Sequence, residues 1–289
     1  QKAIDYKPDY YQAYNNWGDA LSDLAKTKSG SKAEKDYNKA FEKYQKAIDY
    51  KPDYYQAYNN WGDALSDLAK TKSGSKAEKD YNKAFEKYQK AIDYKPDYYQ
   101  AYNNWGVALV NLAETKSGSE TEELYKDAFD KYREAVKYKP DYQEAYYNWG
   151  NALQELAQTK SGGEAEDLYK KALDKYQEAI KNKPDYYQAY NNWGATLESL
   201  AESKCGDEKE FLINEAIEKY QQAIKYGGVS YNLACLYALK NRKEEALKYL
   251  DRTLSRGEVS AKLVEEDNDW DALRDDPDFK RLLAQYRGK

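Results

Sequence analysis

The first 88 residues of this chain consist of two copies of one 44-residue segment. Gln1–Tyr44 and Gln45–Tyr88 are identical at every position. The same pattern restarts, with substitutions, at Gln89, Arg133, Gln177 and Gln221. A constant period without slippage is typical of one supersecondary unit stacked on copies of itself, in which each unit contacts its neighbours. The sequence therefore predicts a repeat protein with a thin, extended core.

Each 44-residue unit is predicted to form two helices. In the second copy, apolar residues recur every three or four positions between Ala57 and Leu68, which predicts an amphipathic first helix with Asp53 as its N-cap. Gly74 is predicted to form the following turn with a positive φ, and Ser75 with Glu78 fits a capping box for the second helix. Equivalent turns are predicted at Gly30, Gly118, Gly162 and Gly206.

The unit resembles the tetratricopeptide repeat at its marker positions. These are Tyr58, Trp61, Gly62 and Leu65 in the first helix and Ala84, Tyr88, Ala91 and Pro96 around the second. The resemblance implies an all-α fold, a right-handed α-solenoid of antiparallel helix pairs. The family unit has about 34 residues, and here ten extra residues lie between Gly62 and Ala84. We expect them to lengthen both helices.

The repeat pattern predicts three segments. Residues 1–226 form about five long repeats with a truncated first unit, of which Gln1–Tyr6 would end a second helix. Residues 227–257 return to the ordinary spacing, and residues 258–289 resemble the closing segments of bacterial tetratricopeptide proteins. Apolar residues at helical spacing in that last segment predict capping helices, which a solenoid needs for solubility.

No catalytic, metal or cofactor site is predicted. The chain has no histidine, which removes the commonest general base and metal ligand, and it has no glycine-rich phosphate-binding motif. Cys205 and Cys235 have no metal-ligand spacing. Asp63 and Asp67 recur because the repeat recurs, and we interpret them as a solvated helix face. The sequence therefore favours a protein that is not an enzyme.

The charge favours a protein partner over nucleic acid. The net charge is -5 and the pI about 5.2, whereas phosphate binding requires a basic surface. Residues 89–220 sum to -8, which favours a cationic partner. The two cysteines fit a reduced, cytoplasmic setting, and no stretch approaches the length of a membrane span, so no membrane contact is predicted. Because the chain contains no Met, we interpret it as a processed product or an excised fragment.

A column of asparagines is the candidate binding site. One lies at the same place in six successive first helices, at Asn16, Asn60, Asn104, Asn148, Asn192 and Asn232, and a second precedes it at Asn15, Asn59, Asn103 and Asn191. The family resemblance places this column on the concave face, where such amides hold extended peptide. A primary amide offers a donor and an acceptor to a peptide backbone. The predicted function is a scaffold that holds an extended partner segment in this groove.

Two alternatives remain open. The asparagines could be inherited family sequence that duplication copied, in a structural spacer or self-assembling rod without a ligand. In that case the uncovered N-terminal face of the solenoid could stack on another molecule. Rows of tyrosines, among them Tyr55, Tyr99 and Tyr187, are predicted to pack between helices.

Overall fold

The computed structural model of the protein describes Lys7 and residues 9–287, and every regular element in this part of the chain is a helix. The chain forms two compact units, and the boundary between them lies between Ala152 and Leu153. The three predicted segments remain a prediction, and the expectation for Gln1–Tyr6 lies outside the described residues.

The first unit consists of alternating first and second helices. The first helices are α1 (Tyr11–Lys26), α3 (Tyr55–Lys70), α5 (Tyr99–Ala113) and the beginning of α7 (Gln143–Gln158). The second helices are α2 (Gly30–Tyr50), α4 (Gly74–Tyr94) and α6 (Ser119–Tyr138). Each of α1, α3 and α5 packs against the second helix that follows it, and α1 packs on α3 as α3 does on α5.

The ten extra residues are helical, as predicted. In the second copy α3 has 16 residues and α4 has 21. Gly74 adopts φ +56, and it is the first residue of α4. The predicted capping box is therefore wrong, since Ser75 lies inside the helix and Ser73, at the N-cap, makes no side-chain hydrogen bond to the helix.

The N-cap predicted for the first helix is also wrong. Tyr54 occupies the N-cap of α3, and the Asp53 carboxylate instead lies 2.8 Å from the Lys51 ammonium. This ion pair lies within the connecting turn, so the Asp53 carboxylate does not cap the helix.

A glycine and a tyrosine form the closest approach within each long helix pair of this unit. The ring of Tyr88 on α4 is 1% exposed, and a Cβ atom on Gly62 of α3 would lie 2.7 Å from its Cε1 atom. Only glycine leaves room for the ring here, because interiors are close-packed. Gly62 thus sets the spacing between the two helices.

The second unit continues from Leu153 through α7. Its further helices are α8 (Gly162–Asn182), α9 (Tyr187–Glu202), α10 (Gly206–Lys225), α11 (Tyr231–Leu239), α12 (Lys243–Ser255), α13 (Ala261–Glu266), a 3-10 helix (Asn268–Leu273) and α14 (Pro277–Tyr286). Trp270 is fully buried and stacks on Phe279 with 5.3 Å between ring centroids. These rings belong to one apolar cluster with α9, α10, α11 and α12, so the two rings pack against apolar side chains of these helices.

Candidate partner-binding surface

The predicted asparagines lie on first helices, and they form hydrogen bonds from one repeat to the next. Asn60 Nδ2 donates to Oδ1 of Asn15 at 3.3 Å and to Oδ1 of Asp19 at 3.0 Å. Asn104 repeats the pattern towards Asn59 at 3.3 Å and Asp63 at 3.0 Å. The column therefore connects consecutive first helices along their shared face.

The asparagine ladder, meaning these hydrogen bonds between asparagines of successive first helices, continues at further members of the column, which we call rungs. Asn148 Nδ2 donates to Oδ1 of Asn103 at 3.0 Å within the first unit, and Asn232 Nδ2 donates to Oδ1 of Asn191 at 3.3 Å within the second. The preceding asparagines Asn15, Asn59 and Asn103 are buried, at 4%, 4% and 5% exposure, whereas Asn16 is exposed and the remaining predicted rungs Asn60, Asn104, Asn148, Asn191, Asn192 and Asn232 are half-buried.

Asp63, which the sequence pattern assigned to a solvated helix face, is part of this network. Tyr88 on α4 donates its hydroxyl hydrogen to Asp63 Oδ1 at 2.7 Å, and Asn59 Nδ2 donates to the other oxygen at 3.2 Å. Burial raises the pKa of Asp63 to about 7, although hydrogen bonds from Tyr88 and Asn104 oppose that shift. The interpretation of Asp63 as part of a solvated face is wrong, because its carboxyl joins two helix pairs.

In the second unit the hydroxyl group of the buried tyrosine bonds to a residue that lies about one helical turn beyond the position equivalent to Asp63. The position of Asp63 is occupied by Ala195 in α9, and Tyr220 donates its hydroxyl hydrogen to the carboxylate of Glu198, three residues further on. Tyr176 likewise bonds to Gln154 at 2.9 Å. Residues three apart share a helix face, so the tyrosine keeps a partner. Burial raises the pKa of Glu198 to about 7.

The network opens into a cavity of about 200 Å³ in the first unit. Its lining is polar and largely acidic, with Asp19, Ser22, Asp23, Lys26, Tyr44, Asn60, Asp63, Ala64 and Asp67. The Lys26 ammonium lies 3.1 Å from Asp67 and 3.4 Å from Asp23. Four carboxyl groups thus share one lysine in this lining, and such a site can accept hydrogen bonds from a cation.

Neither cysteine lines this cavity. Cys205 is exposed, and Cys235 is buried in the second unit. The Cys235 Sγ lies with carboxylate oxygens of Asp267 and Asp269 within 4.8 Å of one another. Burial raises the pKa of the Cys235 thiol, and a protonated thiol is a poor metal ligand. The absence of a metal site and of catalysis remains a prediction.

The paired helices, the glycine–tyrosine contact and the repeat period define a protein of the tetratricopeptide-repeat type. Solved structures agree on this fold. PilF of Pseudomonas aeruginosa has a TM-score of 0.55 at 15% identity, and the match covers 91% of this chain and 98% of that one. PilW, a type IV pilus biogenesis factor, has a TM-score of 0.53 at 16% identity, with 89% and 97% covered.

The sequence profile of one family, described as the plant-specific mitochondrial import receptor subunit TOM20, matches residues 3–104 and 100–192. These matches cover more than half of the chain, which therefore belongs to this family. A search of curated proteins found no matching sequence.

The family to which the chain belongs contradicts the expected cellular location. The prediction of a cytoplasmic protein is wrong, because the family is one of mitochondrial import receptor subunits. Within the part of the chain that the structure describes, no helix has both the length and the apolar character needed to cross a bilayer. The repeat fold is that of a protein-interaction scaffold.

Proposed function

We propose that the protein is a recognition scaffold of an import receptor, and that its first-helix face binds an extended, cationic segment of a protein partner. The acidic cavity in the first unit carries this proposal, since Asp19, Asp23, Asp63 and Asp67 line it with a single lysine. The family description of an import receptor subunit suggests that the partner is a protein destined for mitochondria.

The hydrogen-bond inventory of the column indicates what the partner must supply. Asn60 donates its amide hydrogens to Asn15 and Asp19, and a primary amide has only two. Around Asn60, the groups of the column that remain to contact a ligand are oxygen atoms, which accept hydrogen bonds. Because guanidinium and ammonium groups are donors without acceptors, cationic side chains complement this surface better than a neutral peptide backbone does.

The asparagine column keeps a role in this proposal. Its buried members, such as Asn59, hold the carboxylate of Asp63 in place, and its more exposed members, such as Asn16, line the route along the face. Binding would therefore depend on the asparagines chiefly through the positions of the carboxylates.

A titration with a labelled 12-residue arginine-containing peptide tests the proposal. The double variant Asp23→Asn/Asp67→Asn removes two carboxylates from the cavity lining. We expect the affinity to fall by about three- to tenfold, in line with exposed ion pairs, and the wild-type affinity to fall as salt rises.

The matched control is Asp49→Asn/Asp93→Asn. It makes the same change in net charge at two exposed carboxylates on the second helices, α2 and α4. This control should bind the peptide as wild type does. Equal affinities of both double variants would show that only net charge matters and would refute the site.

End-to-end stacking of two copies of the protein is a second candidate function, and the different exposures of two equivalent leucines favour it. Leu24 of α1 is 45% exposed, whereas Leu68, at the same position of the identical helix α3, is 3% exposed. Leu68 packs against side chains of α1 and α2, and among the described residues Leu24 offers the equivalent leucine surface to solvent. Sedimentation velocity tests this: wild type should self-associate, and Leu24→Glu should abolish it. A concentration-independent monomer would exclude stacking.

A further inference from the structure

Exposed tyrosines form a strip at one edge of the first unit. Tyr50, Tyr94 and Tyr138 end the three second helices and are 48%, 46% and 39% exposed. Each stacks on a tyrosine of the first helix in the same repeat, with 5.5–5.6 Å between ring centroids and 23–24° between planes, in the pairs Tyr14–Tyr50, Tyr58–Tyr94 and Tyr102–Tyr138. Parallel ring pairs thus recur once per repeat on the surface.

A second row of rings connects these pairs. Tyr55 meets Tyr98 edge-on at 4.7 Å, and both pack with Tyr58 and Tyr102 against the same buried cluster. The tyrosine strip is therefore continuous from one repeat to the next. The prediction that Tyr55 and Tyr99 pack between helices is confirmed by their contacts with Tyr98 and Tyr142.

Two of the lysines beside the strip are paired with aspartates. The ammonium of Lys95 lies 5.7 Å from the centre of the Tyr55 ring and 2.8 Å from the Asp97 carboxylate, and Lys51 has the same relation to Tyr11 and Asp53. A charged segment gains little from such a surface. An uncharged segment that offers apolar rings complements it, because the strip presents aromatic rings beside paired charges.

The geometry points to a partner in the polyproline II conformation, and we propose that the tyrosine strip binds a proline-rich segment. First helices α1, α3 and α5 pack directly on one another, which places such helices about 8–10 Å apart. One polyproline II turn of three residues advances about 9 Å. Each turn can therefore meet one tyrosine pair, and this preformed helix loses little entropy when it docks on aromatic side chains.

Fluorescence anisotropy with a labelled proline dodecamer tests this inference. Wild type should bind it more tightly than a labelled glycine–serine dodecamer, which has similar length without the polyproline II conformation. Tyr94→Ala should weaken binding by about two- to tenfold, the contribution of one aromatic contact. The triple variant Tyr50→Ala/Tyr94→Ala/Tyr138→Ala should abolish it.

Three controls keep the result specific. Tyr94→Phe retains the ring and should keep most of the affinity, which separates ring loss from misfolding, and the melting temperature of each variant is measured alongside. Asp23→Asn/Asp67→Asn should bind the proline peptide as wild type does, because the acidic cavity is a different surface. Equal binding of the two dodecamers, or a folded triple variant with wild-type affinity, would overturn the proposal.

Discussion

Tyr88 on α4 donates its hydroxyl hydrogen to Oδ1 of Asp63 on α3 across 2.7 Å. The same carboxyl group accepts from Asn104, which belongs to the next first helix along the chain. One buried acid therefore joins the two helices of its own repeat and the first helix of the following repeat. In solenoids stability depends on such neighbour interfaces as well as on each unit, so this group contributes to both.

Removal of the tyrosine hydroxyl should destabilise the protein without disturbing its packing. We expect Tyr88→Phe to lower the free energy of unfolding by about 0.5–1.5 kcal/mol below about pH 7, where Asp63 is mostly protonated, and by about 1.5–3 kcal/mol above it, the range for hydrogen bonds to charged groups. Urea unfolding followed by far-UV circular dichroism measures it. Tyr44→Phe removes the equivalent bond to Asp19 at 2.8 Å in an identical but less covered repeat, and should cost less. An equal or larger loss for Tyr44→Phe would contradict this account.

The raised pKa of Asp63 predicts how stability changes with pH. Unfolded Asp63 ionises near 3.8, whereas burial in the folded protein raises its pKa to about 7. Between these values the folded state binds more protons, so this group's stabilisation is complete below about pH 4 and is lost as the pH rises to about 7. The change amounts to at most about 4 kcal/mol, and less because Asp63 keeps some contact with solvent.

Urea unfolding at several pH values between 4 and 8 measures this dependence. Asp63→Asn should reduce the slope but not abolish it, because burial also raises the pKa of Glu198 to about 7, while Asp93→Asn, at an exposed carboxylate on α4, should leave it unchanged. Asp36 does not interfere, because hydrogen bonds from Lys28 and Lys39 lower its pKa to about 2, and its stabilisation is lost only at lower pH. A slope in Asp63→Asn as steep as in wild type would exclude Asp63 as its source.

The fold followed from local sequence signals, while the polar network did not. Helix pairs and turns such as Gly74 are visible because apolar spacing, glycine and the repeat period act within one unit, whereas the Gly62–Tyr88 contact emerges only from the structure. The partners of Asp63 are 25 and 41 residues away, and an aspartate among polar neighbours resembles a solvated residue until three helices are placed together. The pair Asp19–Tyr44 recurs as Asp63–Tyr88, but every pair recurs in two identical copies, so the sequence does not single this pair out.

Identical leucines in different surroundings provide a direct measure of packing. Leu68→Ala removes a side chain that is 3% exposed and should cost about 2–5 kcal/mol, as for other buried leucines. Leu24→Ala changes the same helix sequence where the side chain is 45% exposed, and should cost less than about 0.5 kcal/mol. Thermal unfolding of both variants at low concentration compares them. A large loss for Leu24→Ala that grows with protein concentration would instead indicate a stacked assembly.

The asparagine ladder should prove structural as well as functional. Asn60→Ala removes amide hydrogens that bond to Asn15 and Asp19 and leaves a half-buried carboxylate with one donor fewer, so we expect a loss of about 1–3 kcal/mol in unfolding free energy. Asn16→Ala changes the same position of an identical helix where the side chain is exposed, and should cost about 0.5 kcal/mol or less. Urea unfolding and titration with the arginine-containing peptide are run on both.

Because Asn60 positions Asp19, Asn60→Ala should also weaken peptide binding, and Asp19→Asn combined with Asn60→Ala should add little further loss of affinity. If Asn60→Ala keeps wild-type stability, the observed amide bonds contribute nothing to the repeat interface, and the column returns to the status of an inherited sequence feature.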